Sequence, residues 1–109
     1  MAYSEELAER IRTLLGPRPG VVEKRMFGGV AWMVTGNLAV ATYGDDLMTR
    51  LGVEDAERAT AEPQVAPIEM GGRTMRAWVR VDAARVADDA ELARWVDAGV
   101  DFAAGLPPK

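Results

Sequence analysis

The sequence predicts an α+β fold, a curved antiparallel sheet with helices packed on one face. Three observations carry that prediction. Apolar residues recur at helical spacing near both ends of the chain and alternate with period two between them. Turn-forming glycines punctuate the period-two region at Gly28-Gly29, Gly36-Asn37, Gly44 and Gly71-Gly72, at the short spacing of hairpins. The helical segments also do not alternate singly with strands, which argues against a parallel sheet. With 109 residues the chain is expected to form one domain spanning residues 1–109.

Ser4 is placed to cap a first helix whose Leu7, Ile11, Leu14 and Leu15 form one apolar stripe. Glu5 and Glu6 complement its dipole, and Gly16-Pro17 should end it with a left-handed glycine and a proline. Val21 to Met26 reads as the first strand and Val30 to Val34 as the second, with Val30, Trp32 and Val34 on one face. Gly36-Asn37 should turn the chain into a third strand, Leu38 to Tyr43. Gly44-Asp45-Asp46 turns it again into a fourth, along which Leu47, Thr49 and Leu51 alternate.

Val53 to Ala61 has the composition of a short helix. Ile68 and Met70 then lead through Gly71-Gly72 into a return strand from Arg73 to Val81, with Met75, Ala77, Val79 and Val81 expected on the core face. Asp88 is positioned to cap a last helix, and Glu91 to complete a capping box. The stripe Leu92, Trp95, Val96, Gly99, Phe102, Ala103 and Leu106 follows. The predicted order is α-β4-α-β2-α.

Composition narrows the chemistry. The chain has no histidine and no cysteine, so it lacks imidazole bases, thiolate nucleophiles and Cys/His zinc sites. Ser4 is its only serine, which removes most forms of a serine triad. No phosphate-binding loop and no dinucleotide fingerprint occurs. Catalytic residues, cofactors and metals are therefore expected to be none. The acidic start and the absence of a long apolar run argue against a secretory leader or a membrane span, so the cytoplasm is the expected location. A net charge of −4 opposes sequence-independent attraction to nucleic acid.

The strongest candidate for a binding surface is the strand Arg73 to Val81. If its apolar residues face the core, then Arg73, Arg76, Trp78 and Arg80 present an indole among guanidiniums, which suits a protein partner or a single-stranded nucleic acid. The competing reading is cation–π stacking that shields a solvated face. The alternative of a small-ligand binder would place its site near Trp32 and Met33 on a concave side of the sheet. Met26, Phe27, Gly28 and Gly29 form the densest local signal, read as a backbone bend that curves the sheet. The acidic pairs Asp45-Asp46 and Asp88-Asp89 suit a turn and a helix cap, Arg94 is expected to pair with Asp97, and the strand methionines are read as core filler. Lys24 is assigned to edge protection or a surface ion pair.

Taken together, the acidic-capped first helix, Lys24-Arg25-Met26-Phe27-Gly28-Gly29, Asp46-Leu47-Met48-Thr49-Arg50 and Gly72-Arg73-Thr74-Met75-Arg76-Ala77-Trp78-Val79 resemble the N-terminal domain of the TfoX/Sxy family of competence regulators. The resemblance implies a secretion-chaperone-like α+β fold and a link to transcriptional control of DNA uptake, alongside a cAMP-responsive activator. It implies a backbone role for Met26, Phe27, Gly28 and Gly29, and no catalytic residues. A standalone non-enzymatic module that binds a protein partner is the expected function. A nucleic-acid binder or a small-ligand binder is the alternative, and an exposed strand edge or the Trp78 face would also support a homodimer.

Overall fold

The computed structural model describes residues 3–26 and 28–109. Four helices, α1 (Glu5–Leu15), α2 (Val53–Ala59), α3 (Ala83–Val86) and α4 (Asp89–Ala104), pack against one open six-stranded sheet. Its strands are β1 (Val21–Met26), β2 (Gly29–Val34), β3 (Asn37–Tyr43), β4 (Asp46–Arg50), β5 (Val65–Met70) and β6 (Arg73–Val81). Every neighbouring pair is antiparallel, in the order β1-β2-β3-β4-β6-β5. The α+β reading and the element order hold, with the one-turn helix α3 added. Its cap, Asp82, accepts the Ala84 N–H at 2.8 Å.

Ser4 Oγ accepts the Leu7 N–H at 3.1 Å, and α1 buries Leu7, Ala8, Ile11 and Leu15. Its end departs from expectation. Gly16 stays right-handed at φ −48°, and the positive φ falls on Gly20 at +80°. The β2–β3 turn is likewise Thr35-Gly36, one residue earlier than read, with φ of +47° and +88°. Asn37 is consequently a buried strand residue opposite Val34, and its side-chain N–H donates to the Pro107 carbonyl at 2.9 Å.

Two clusters occupy the two faces of the sheet. The larger combines Leu7, Ile11 and Leu15 of α1 and Leu92, Trp95, Val96 and Val100 of α4 with Val30, Trp32, Val40, Leu47, Val79 and Val81. The smaller comes from strands alone: Ala31, Ala41, Met48, Ile68 and Trp78, with Met26, Leu38, Tyr43, Met70, Met75 and Ala77 partly buried around them. Of the strand methionines Met48 is fully buried, and Met26, Met33, Met70 and Met75 are partly buried, so they fill the margin of this cluster rather than its centre. The pairing register shifts at two irregularities, beside Trp32/Met33 and beside Pro67/Glu69.

Candidate functional site

The second irregularity decides where the candidate binding residues go. Between the pairs Pro67–Val79 and Glu69–Thr74, the single β5 residue Ile68 stands opposite the stretch from Met75 to Trp78. Strict alternation along β6 breaks there. Met75 and Ala77 pack with the strand-only cluster instead of joining Val79 and Val81 beneath the helices. Leu51 and Gly52 both donate their N–H to the Ala77 carbonyl, at 2.8 and 3.1 Å, which anchors the irregular segment to the start of α2.

Trp78 is 7% exposed, so it is not the outward indole that alternation predicts. The guanidinium above it is that of Arg50, its partner on β4, at 5.6 Å from the ring centroid. Arg50 lies 5.7 Å from the Phe102 ring as well, and donates to the Leu38 carbonyl at 3.3 Å. Arg80 turns away to stack on Tyr43 at 5.2 Å and to bond the Asp46 carboxylate at 2.6 Å. Arg76 bonds Glu57 of α2 at 3.1 Å, and Arg73 lies exposed beside the β5–β6 turn. The four predicted residues therefore do not form one cationic face. Asp46, read as a turn residue, is 8% exposed and ties β4 to β6 and to α3, whose Ala83 N–H it accepts at 2.7 Å.

What the chain does bring together is a cleft of about 270 Å³ between α2 and the β5–β6 hairpin, lined by Ala56, Thr60, Pro67, Thr74, Met75 and Trp78. Arg76 and Glu57 close its rim. The indole N–H groups of Trp32 and Trp95 are bonded to Glu23 and Glu91, at 3.1 and 3.2 Å. That of Trp78 has no acceptor among the described residues. The buried side-chain nitrogen or oxygen without a partner among those residues is Arg50 Nε. A small, mainly apolar recess with an aromatic wall takes an apolar side chain.

Other expected sites resolve differently. Trp32 is buried under α1, while Met33 points to the opposite face, so they line no common cavity. Gly28, at φ +71°, belongs to the β1–β2 turn. Gly29 lies against Thr42, whose Oγ1 a β-carbon would strike and which accepts the Val30 N–H at 3.0 Å. The two glycines thus serve a hairpin and a close approach rather than a sheet bend. Met26 ends β1 beside the strand-only cluster, and Phe27 lies outside the described residues. Arg94 bonds Glu62 and Glu91, leaving Asp97 to pair with Arg18. Asp88 caps α4 as expected, but Glu91 turns to Arg85 and the Trp95 indole instead of closing the box. Lys24 is exposed on β1. Among the described residues no three acidic side chains gather where they could hold a metal ion.

A family model of the TfoX N-terminal domain matches residues 13–103. The chain belongs to that family. No curated protein and no solved structure matches it. In this TfoX N-terminal domain the matched span runs from within α1 to the last turn of α4, so it takes in the whole sheet and the α2–β6 cleft. No described helix is long and apolar enough to cross a membrane.

Proposed function

We propose that this domain is a non-catalytic, competence-regulator-like module that works by holding a protein partner in the α2–β6 cleft. Membership of the TfoX N-terminal family supports the regulatory half of this reading. The observation that carries the binding half is the convergence of Trp78, Met75 and Pro67 on one recess beside α2. Its volume, about 270 Å³, suits one large side chain of a partner rather than a whole cofactor. Buried aromatic anchors in such recesses dominate the energy of protein interfaces. Nucleic acid is the weaker occupant. Arg76 and Arg80 already face Glu57 and Asp46, Trp78 is not displayed for stacking, and the net charge is −4.

The test is affinity capture from nuclease-treated cytosol on immobilised wild-type protein and on a Met75→Glu variant, which puts a charge into the cleft. Proteins retained by the wild type at moderate salt and lost from the variant are the expected result. Retention that survives Met75→Glu, or material that is nucleic acid and elutes steeply with salt, would remove this reading.

A further inference from the structure

The two edges of the sheet differ in kind. β5 carries Pro67, whose missing N–H interrupts any added ladder. β1 has neither proline nor glycine; all six of its residues pair with β2, and among the described residues nothing pairs with its other side. Its four central residues are exposed, and Val22, at 54%, is the most exposed large apolar side chain described. An open edge of this sort is a template for another strand.

We propose that β1 pairs antiparallel with β1 of a second copy, about a dyad at Lys24 that sets Glu23 opposite Arg25 of the other chain. The backbone permits this pairing. Val34 faces Asn37 across the two-residue Thr35-Gly36 turn, so its backbone groups bond β3, and Val30 likewise sends its N–H towards β3, onto Thr42. Val21 and Arg25, which face Val34 and Val30, therefore direct their own backbone groups away from the sheet, and Glu23 between them does the same.

The side chains choose the register. A dyad normal to the sheet keeps the helices of both copies on one side, so only residues of the same face can meet. Centred on Glu23, the pairing sets two carboxylates against each other. Centred on Arg25, it sets two guanidiniums together. Centred on Lys24, it places Glu23 against Arg25 twice and Val22 against Met26 twice, with one Lys24–Lys24 encounter on the helix-free face. Glu23 and Arg25 are already neighbours along one face of β1, so this register makes a four-charge square of alternating sign. Glu23 enters it ionised, because Arg12 bonds both its oxygens at 2.7 and 3.0 Å. Arg25 enters it with no ion pair to a described residue, its one side-chain bond there being to the Tyr3 hydroxyl at 3.4 Å. The resulting dimer holds the two α2–β6 clefts at the far ends of one continuous sheet, which makes the assembly bivalent.

The absence of native cysteine allows a direct test on the whole chain. Residues on a dyad at a non-hydrogen-bonded pair approach to about 4.5 Å between Cα atoms, within disulfide reach. Lys24→Cys should form a covalent dimer under mild oxidation at least tenfold faster than Glu69→Cys on the other edge. Sedimentation equilibrium should give a dimer that Arg25→Glu weakens at least tenfold and Lys24→Thr tightens severalfold. Both substitutions are at exposed positions, so circular dichroism should report an unchanged fold. A wild type that stays monomeric at several hundred micromolar would overturn the proposal. So would equal cross-linking at positions 24 and 69, or a dimer indifferent to Arg25→Glu.

Discussion

The two faces of the sheet are built from the same strands and finished in opposite ways. On the helix-backed face polar groups are matched. The guanidiniums of Arg94 and Arg85 lie 4.5 and 5.2 Å from the Trp95 ring centroid, and the Trp95 carbonyl accepts the Thr49 hydroxyl at 2.9 Å. On the other face no helix contributes to the cluster, four methionines are only partly buried, and Arg50 keeps a buried Nε with no partner among the described residues. A face closed over matched polar groups fixes the fold, whereas one lined by methionine and aromatic rings adapts to what is laid on it.

The sharpest way to break that contrast is to open the closed face. Trp95→Ala removes a ring that is 3% exposed and strips Arg85, Arg94 and Glu91 of their common partner. It should lower unfolding free energy by about 3–5 kcal/mol in urea titrations. A loss below about 1 kcal/mol would show that the helix-backed face is not the stabilising one. Overfilling comes next. A β-carbon on Gly99 would lie 2.7 Å from Val40 Cγ1 and 2.8 Å from the Ala39 carbonyl, and also strike Thr49 Oγ1. Gly99→Ala should therefore cost about 1–3 kcal/mol despite the better helix propensity of alanine.

Acid should act through the same face. Glu62 is held below its ordinary 4.5 by hydrogen bonds from Arg94 and then Arg85, and Glu91 mainly by Arg85. Glu23 is lowered mainly by Arg12. A carboxylate whose pKa falls on folding contributes stability above its unfolded pKa, and loses it as pH drops through the folded one. The melting temperature should thus be flat from about pH 6 to 8, where a chain without histidine or cysteine has no ordinary side-chain titration, and fall below about pH 4.5. Glu62→Gln should flatten that acid limb, and an unchanged limb would show that these ion pairs do not set it.

The closed face was legible because its signals are local or periodic. Ser4 and Asp88 cap the helices they precede, Leu7, Ile11 and Leu15 share a stripe, and Val30, Trp32 and Val34 share a strand face. The cleft was not legible, because it depends on a slip in strand pairing. Nothing in Arg73 to Val81 announces that Ile68 alone will span Met75 to Trp78; that choice depends on where Pro67 and Glu69 pair. The same alternation that correctly placed Val79 and Val81 therefore misplaced Met75, Ala77 and the exposure of Trp78. Asp46 was misread for a related reason, since its partners Arg80 and Ala83 arrive from another strand and from α3.

The smallest expected effect on stability is the most informative about the open face. Arg76 and Glu57 are 68% and 64% exposed, and ion pairs so well solvated contribute from nothing to about 1 kcal/mol. Arg76→Glu should therefore leave the urea midpoint nearly unchanged, within about 0.5 kcal/mol. It nonetheless sets two like charges at the rim of the cleft, so capture of a partner bearing an acidic or acceptor group beside its apolar anchor should fall sharply. Intact stability with lost capture would separate the working face from the stabilising one. Lost stability with intact capture would reverse their roles.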